Sequence, residues 1–104
     1  MRQIEIMPSP RAKLFDQLQK KEAAIRESGR GTFYRTGRAL KNSAHWKHKA
    51  YPGSIALKRG VFDAVSAKVV ARAKTGEWQL MGAFLGFVDR HFGEEIESIS
   101  IRYR

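Results

Sequence analysis

The chain has 104 residues, 42% of them hydrophobic, with 20 Lys and Arg against 10 Asp and Glu, which gives a formal net charge of +10. This length suits one domain with a single core, and the hydrophobic content indicates a folded chain rather than a disordered polyelectrolyte. The sequence contains no cysteine, which excludes disulfides, thiolate nucleophiles and cysteine-ligated zinc.

The N-terminus has no apolar signal segment, and the longest apolar stretch lies around residues 80–88. That stretch is much shorter than the roughly 20 residues needed to cross a bilayer. We therefore expect a cytoplasmic protein with no membrane partner.

The first predicted element is a short edge strand over residues 3–7, in which Ile4 and Ile6 share a face and which Pro8 ends. Ser9 as N-cap and Pro10 at the first helical position then predict the start of a helix. This helix carries an apolar stripe and a basic face, and it ends at Ser28 and Gly29. We interpret it as an amphipathic helix that covers the core.

Residues 29–45 are rich in glycine and cations and predict a flexible basic segment, within which residues 32–35 form a short strand. Residues 46–51 and 54–59 predict a β-hairpin around Pro52 and Gly53, which suit a type II turn. Because a type II turn fits strand twist poorly, a loop longer than two residues is favoured.

The C-terminal half holds three predicted elements. Residues 61–74 fit both an alternating strand and a helical stripe, and their β-branched valines favour the strand. Residues 77–92 predict a helix that is apolar over more than half of its circumference, with Thr75 as its cap and Gly93 as a left-handed C-terminal residue. Residues 95–104 alternate and predict a final strand. The predicted fold is a single α+β domain over residues 1–104, with an antiparallel sheet of four or five strands, an N-terminal amphipathic helix and a buried C-terminal helix.

The positive charge is concentrated in residues 26–50, where seven basic residues face one acidic residue and aromatic residues are interleaved with them. Clustered cations attract polyanions, and aromatic rings offer stacking surfaces for bases. The candidate nucleic-acid-binding residues are Arg30, Tyr34, Arg35, Arg38, Lys41, Trp46, Lys47 and Lys49. In this set Tyr34 and Trp46 are the stacking candidates, although each aromatic residue of the segment equally suits a place in the core.

Two segments of the second half carry a resemblance to known proteins: residues 46–53 (WKHKAYPG) and residues 77–93 (EWQLMGAFLGFVDRHFG). Together they resemble small uncharacterised bacterial proteins of the kind carried in mobile integron gene cassettes. The resemblance covers roughly residues 30–104 and implies a bacterial, cytoplasmic accessory protein. It transfers no catalytic residue.

The preferred function is noncatalytic and mostly nonspecific binding of nucleic acid, with RNA ahead of DNA, since no helix-turn-helix or RNP signature is present. The alternative is a homo-oligomeric protein-interaction module, whose interface would use Trp78, Gly82 and Gly86 on the apolar helix. A third hypothesis is a toxin-like, metal-independent ribonuclease that combines His45 or His48 with Glu97 and with Arg35 or Arg38. We expect no cofactor, because no phosphate-binding glycine loop is present, and no metal, because the histidines lack further ligands nearby.

Overall fold

A computed structural model describes residues 1–38 and 40–103, with Lys74 described for its backbone alone. Ala39, inside the predicted flexible segment, and Arg104, at the end of the predicted last strand, lie outside the described residues. The elements along the chain are β1 (Arg2–Pro8), α1 (Leu14–Glu27), β2 (Phe33–Thr36), β3 (Ser43–His48), β4 (Ser54–Arg59), β5 (Val65–Val70), α2 (Lys74–Phe92) and β6 (Ile96–Arg102). Short 3₁₀ turns occupy Val61–Asp63 and Gly93–Glu95.

The described strands form one antiparallel sheet with the order β2-β3-β4-β5-β1-β6. This confirms the α+β class, the antiparallel sheet and the helix packed on it. The predicted strand number was wrong, because the described residues form six strands. A strand precedes α1, as expected, but β1 lies between β5 and β6 and is not the edge strand that was predicted. Strand β2 has only four residues, and a strand this short depends on its pairing with β3 for stability.

Both helices lie on one face of the sheet, and the core fills the space between them and the strands. The alternating side chains of the central strands enter this core, as Ile4 and Ile6 of β1 and Val65 and Val69 of β5 do, all fully buried. Fully burying side chains of this size contributes about 1.5–3 kcal/mol each. Within the described part of the chain no helix lies on the other face of the sheet, whose side chains are mainly polar, with Met7 and Val70 as exposed apolar ones.

The start of α1 differs from the prediction. The helix begins at Leu14, with Lys13 rather than Ser9 at the N-cap position. Ser9 is held elsewhere, because its backbone N–H donates to the carbonyl of Glu95 at 2.8 Å, and Arg11 has a φ of 71°, which no helix accommodates. The capping contact comes instead from Asp63, whose carboxylate accepts the backbone N–H of Asp16 at 3.3 Å.

Arg59, at the end of β4, joins α1 to the loops around it. Its guanidinium donates to Asp16 at 2.7 Å, to the carbonyl of Lys41 at 2.8 Å and to Asn42 Oδ1 at 3.1 Å, and it also pairs with Asp63. The guanidinium carbon lies 4.7 Å from the centre of the Phe15 ring. We call Arg59, Asp16, Asp63, Asn42 and Phe15 the Arg59 cluster.

A hairpin is present as β3 and β4, and its second strand has the predicted bounds. The first strand runs over Ser43–His48 rather than residues 46–51, and residues 49–53 form the longer loop that was expected. Gly53 has a φ of +118°, and a Cβ there would lie 2.5 Å from the carbonyl oxygen of Val70, so this position requires glycine. The ambiguous stretch 61–74 divides between a 3₁₀ turn and β5, so the strand interpretation is confirmed for Val65–Val70.

Helix α2 confirms the prediction for residues 77–92 and begins three residues earlier, at Lys74. Both predicted terminal signals were wrong. The N-cap residue is Ala73 rather than Thr75, and Gly93 has a φ of −53°, because the chain continues directly into a 3₁₀ turn. Among the described residues, no helix has the length and apolar character needed to span a membrane.

Candidate nucleic-acid interface

The helix-free side of the sheet, which we call the open face, carries a continuous row of side chains. Because opposed residues of antiparallel strands point to the same side, the strand register defines this row from one edge of the sheet to the other. It runs Thr36, His45, Ala56, Lys68, Gln3 and Arg102. The neighbouring row contains Ser43, Lys58, Ser66, Glu5 and Ser100. Small and hydroxyl side chains therefore lie between longer cationic ones.

The open face has an excess of positive charge. Lys47, Lys58 and Lys68 project from β3, β4 and β5, and Arg102 projects from β6, all of them exposed. Lys58 and Lys68 are diagonal neighbours on adjacent strands, because Lys58 is opposite Ser66 and Lys68 is two residues further along β5. Diagonal neighbours lie about 7–8 Å apart at their backbones. No ion pair among the described residues involves the three lysines.

Glu5 places a carboxylate on the open face, and its neighbours already bind it. Its Oε1 accepts hydrogen bonds from Gln3 Nε2 and Ser66 Oγ, each at 3.1 Å. Arg102 donates in turn to Gln3 Oε1 at 3.4 Å. These contacts hold the carboxylate near β1, away from Lys47 and the β2 edge.

Aromatic side chains lie on the open face at the β2 edge. Tyr34 is opposite Lys47, and His45 is opposite Thr36 on the same pair of strands. His45 is exposed and Tyr34 is half-buried. Near Lys47 the face leads to a shallow cavity of about 580 Å³, which is lined by Pro52, Val70 and Arg72 among others. This corner of the molecule thus combines cations with flat apolar surface.

All of the eight predicted binding residues except Trp46 are at least partly exposed. Six of them lie on the open face or in the connections at the ends of the β2–β3 pair: Arg30, Tyr34, Arg38, Lys41, Lys47 and Lys49. Two of these, Tyr34 and Lys47, are on the open face itself. The other four are in the connections at the two ends of the pair: Arg30 and Lys49 at one end, Arg38 and Lys41 at the other. The basic quarter of the sequence therefore does not form one patch.

The remaining two predicted residues point to the helix side of the sheet. Trp46 is fully buried, with its ring centre 5.6 Å from that of Phe87 and 6.1 Å from that of Phe84. Its predicted stacking role was wrong, because no face of the indole is accessible to a base. Arg35 is opposite Trp46 on this same side, and its backbone N–H donates to the buried carboxylate of Glu22 at 3.2 Å. Arg35 therefore does not belong to the open face.

The histidines occupy separate places. His48 is on the helix side, where its Nδ1 accepts the backbone N–H groups of Ala50 at 2.9 Å and Tyr51 at 3.3 Å. Burial lowers the pKa of His48, so its imidazole is neutral and serves the hairpin loop. Burial, with the nearby charges of Lys21 and Arg90, also lowers the pKa of His91.

The sheet does not bring together the residues of the predicted ribonuclease site. Glu97 lies in β6, whereas His45 and His48 lie in β3, four strands away. At about 4.8 Å per strand this separation is about 19 Å, too far for an acid and a base to share one phosphodiester.

The predicted interface residues of α2 are exposed. Trp78 is 52% exposed, and a Cβ built on Gly82 or Gly86 would meet no atom within 4 Å. The two glycines therefore line solvent and do not serve close packing of α2 on the sheet.

Sequence reasoning missed three cations of the open face: Lys58, Lys68 and Arg102. Each is outside residues 26–50 and was therefore diluted among other charges. The signal that could have found them is strand alternation, because each sits at a polar position beside an apolar one, as Lys68 does beside Ala67 and Val69.

Comparison of the chain with protein-family models, with curated proteins and with solved structures finds no match.

Proposed function

We propose that the protein binds single-stranded nucleic acid, RNA in preference to DNA, on the open face of its sheet, without catalysis and with little sequence specificity. The observation that carries the proposal is the set of exposed cations on neighbouring strands: Lys47, Lys58 and Lys68 have no ion-pair partner among the described residues. Such cations release the counterions of a phosphate backbone when they bind it.

The shape of the face favours a single strand over a duplex. A major groove admits an α-helix or a two-stranded ribbon, whereas the open face is a six-stranded surface. A single strand can lie across such a surface, with bases over Tyr34, His45 and the small side chains of Ala56 and Ser54, and with phosphates against the lysines. The side chains available are cations and hydroxyls without a bidentate base-reading arrangement, so the binding is mostly nonspecific. In a bacterium, such a protein would act as an accessory factor.

The test is a fluorescence-anisotropy titration of a labelled single-stranded RNA of about 12 nucleotides at about 50 and 200 mM salt. The triple variant Lys47→Gln, Lys58→Gln, Lys68→Gln removes three cations of the open face. Its matched control, Lys13→Gln, Lys20→Gln, Lys21→Gln, removes three exposed cations near and within α1 on the opposite side. Both variants change the net charge by the same amount.

We expect the open-face variant to bind at least about tenfold more weakly at low salt and to lose about 2 from the slope of log K against log salt, since each single-strand phosphate contact contributes about 0.7. The control should keep most of the wild-type affinity and slope. Equal weakening of the two variants would assign binding to overall charge, and no binding by the wild type at low salt would overturn the proposal. Single-stranded DNA and duplex RNA, titrated in parallel, test the preference.

A second candidate function is a homo-oligomeric interaction module that uses α2. It is favoured by one observation, the 52% exposure of Trp78 on the same stripe as Gly82 and Gly86. Large aromatic side chains contribute strongly to protein interfaces when they are buried there. In this case Trp78→Ser would abolish self-association measured by sedimentation, whereas a monomeric wild type would exclude the module.

A further inference from the structure

The two edges of the sheet differ in how far they are protected from pairing with another strand. At the β2 edge, α1 covers the strand: the backbone N–H of Arg35 points outward and donates to Glu22, which is 2% exposed. This strand is also short, at four residues. Helix cover, short length and a charged side chain are the usual ways in which a sheet edge is protected from pairing with another strand.

The β6 edge lacks these protections over residues 98–102. This stretch pairs regularly with β1 on its inner side, and the irregularity of the β1–β6 pair comes before it, between Met7 and Pro8. It contains no proline, and its one charged residue, Arg102, is the last residue of the stretch. Among the described residues, no backbone group of 98–102 has a hydrogen bond on the outer side of the strand. The edge therefore offers an open ladder of donors and acceptors.

Apolar surface accompanies this open ladder. Ile99 and Ile101 are opposite Ile6 and Ile4 on the helix side, but both remain 38% exposed, unlike their buried partners. Tyr103 follows them at 59% exposure, with the Arg2 guanidinium 4.7 Å from its ring centre. An exposed, flat and partly apolar edge strand is the feature that natural monomers avoid.

We infer that the occupant of this edge is a second copy of the chain, paired antiparallel through β6. The strand is self-complementary in the register that places Ser100 opposite Ser100 of the partner subunit. In that register Ile99 is opposite Ile101 of the partner subunit and Ile101 opposite its Ile99, so two apolar pairs form on the helix side. Opposed apolar pairs of this kind stabilise antiparallel pairing beyond the backbone ladder.

Charge favours the same arrangement. The acidic residues Glu94, Glu95 and Glu97 lie at the N-terminal end of β6, and the basic residues Arg102 and Arg2 lie at the other end of the β1–β6 pair. Antiparallel pairing sets the acidic end of each copy beside the basic end of the other. In a chain of net charge +10, whose copies otherwise repel each other, this local complementarity selects this edge.

The resulting dimer has a two-fold axis perpendicular to the sheet, since a self-paired antiparallel strand generates that symmetry. Both sets of helices then lie on one side and both open faces on the other, in one continuous sheet of twelve strands. The interface contains one strand pair and its flanking side chains, which places it in the small class and makes dimerisation dependent on concentration. The dimer does not depend on nucleic acid binding and is tested without it.

The absence of cysteine from the chain makes a cross-linking test specific. In the proposed register, Ser100→Cys places two thiols opposite each other across the two-fold axis, at the backbone separation a disulfide requires. The Ser98→Cys thiol would instead be opposite Arg102 of the partner subunit. Thr36→Cys, on the β2 edge, is the control for random collision. We expect the Ser100→Cys protein to form a covalent dimer under mild oxidation and the other two to remain at least tenfold less cross-linked.

Sedimentation of the unmodified protein supplies the independent measurement. We expect a monomer–dimer equilibrium that Ser100→Lys, which sets two lysines opposite each other, shifts to monomer. Thr36→Lys adds the same charge at the other edge and should leave the equilibrium unchanged. A wild type that stays monomeric at high concentration, equal cross-linking of all three cysteine variants, or a dimer that dissociates with Trp78→Ser but not with Ser100→Lys would each overturn the inference.

Discussion

Replacing Arg59 with methionine tests the contact network that holds the basic loop between β2 and β3 on the body of the protein. Arg59 donates to the carbonyl of Lys41 and to Asn42, and it pairs with Asp16 and Asp63, so the loop, α1 and the 3₁₀ turn share one guanidinium. Methionine keeps most of the length of the aliphatic stem, and it removes every donor together with the guanidinium that lies over the Phe15 ring.

The expected loss is about 3 kcal/mol in the free energy of unfolding. Hydrogen bonds to charged groups contribute about 1.5–3 kcal/mol each when they are shielded from water. The Arg59 side chain is 22% exposed and that of Asp63 is 14% exposed, so this pair contributes most, whereas Asp16, at 45% exposure, contributes little. For a domain of this size, about 3 kcal/mol lowers the Tm by about 10–20 °C.

The assay is urea and thermal unfolding followed by circular dichroism, with Arg38→Met, an exposed arginine of the same loop, as the control. The hydrogen bond from Arg59 holds the pKa of Asp16 below its ordinary value of 3.8. A carboxyl whose folded pKa is lowered stabilises the fold above its unfolded pKa and loses that contribution as the pH falls through the folded value. The stability difference between wild type and Arg59→Met should therefore narrow below about pH 4. A loss under about 1 kcal/mol, or one equal to that of the control, would refute the reasoning.

Three further predictions concern His48, Gly53 and the two exposed glycines of α2. Because the pKa of His48 is lowered in the folded protein, the protein should lose stability as the pH falls below about 6.5 towards that folded pKa. The stability of His48→Phe should change less between about pH 7.5 and 5. An unchanged dependence of stability on pH, measured by urea unfolding, would contradict this. Gly53→Ala should lower the free energy of unfolding by about 2–3 kcal/mol, because the φ of Gly53 is positive and a Cβ there would meet the Val70 carbonyl. A neutral effect in unfolding experiments would show that the loop relaxes freely. Gly82→Ala and Gly86→Ala should each stabilise α2 by about 0.5–1 kcal/mol, since both sites are open and helical; destabilisation would indicate that the glycine face is occupied.

The parts of the fold that were predictable are those whose signal is local. The helix over residues 77–92 and the second strand of the hairpin follow from periodicities of 3.6 and 2, which neighbouring residues alone determine. The start of α1 was not predictable in this way. Its register depends on Asp63 capping Asp16 and on Glu95 binding the backbone of Ser9, two contacts between residues far apart in sequence.

The candidate site was predictable only in part, and the reason is the pleat of the sheet. Adjacent residues of a strand point to opposite sides, so Tyr34 and Arg35 cannot both face one ligand, nor can Trp46 and Lys47. The prediction assigned all four to one site. The structure separates them, with Tyr34 and Lys47 on the open face and Arg35 and Trp46 towards the helices.

Alternation also explains why the density of charge along the sequence did not predict the distribution of charge on the surface. A window of 25 consecutive residues adds together two faces of a strand pair and the loops at both of its ends. The sheet instead collects every second residue of paired strands, which is how Lys47, Lys58 and Lys68 of the consecutive strands β3, β4 and β5 come to share one surface. Glu5 places one carboxylate on that surface, whereas Glu22 is buried on α1 and Glu77, on α2, binds the N-terminal amine at 2.8 Å. The distribution of cations on the open face therefore differs from the distribution that the density of cations along the sequence indicates.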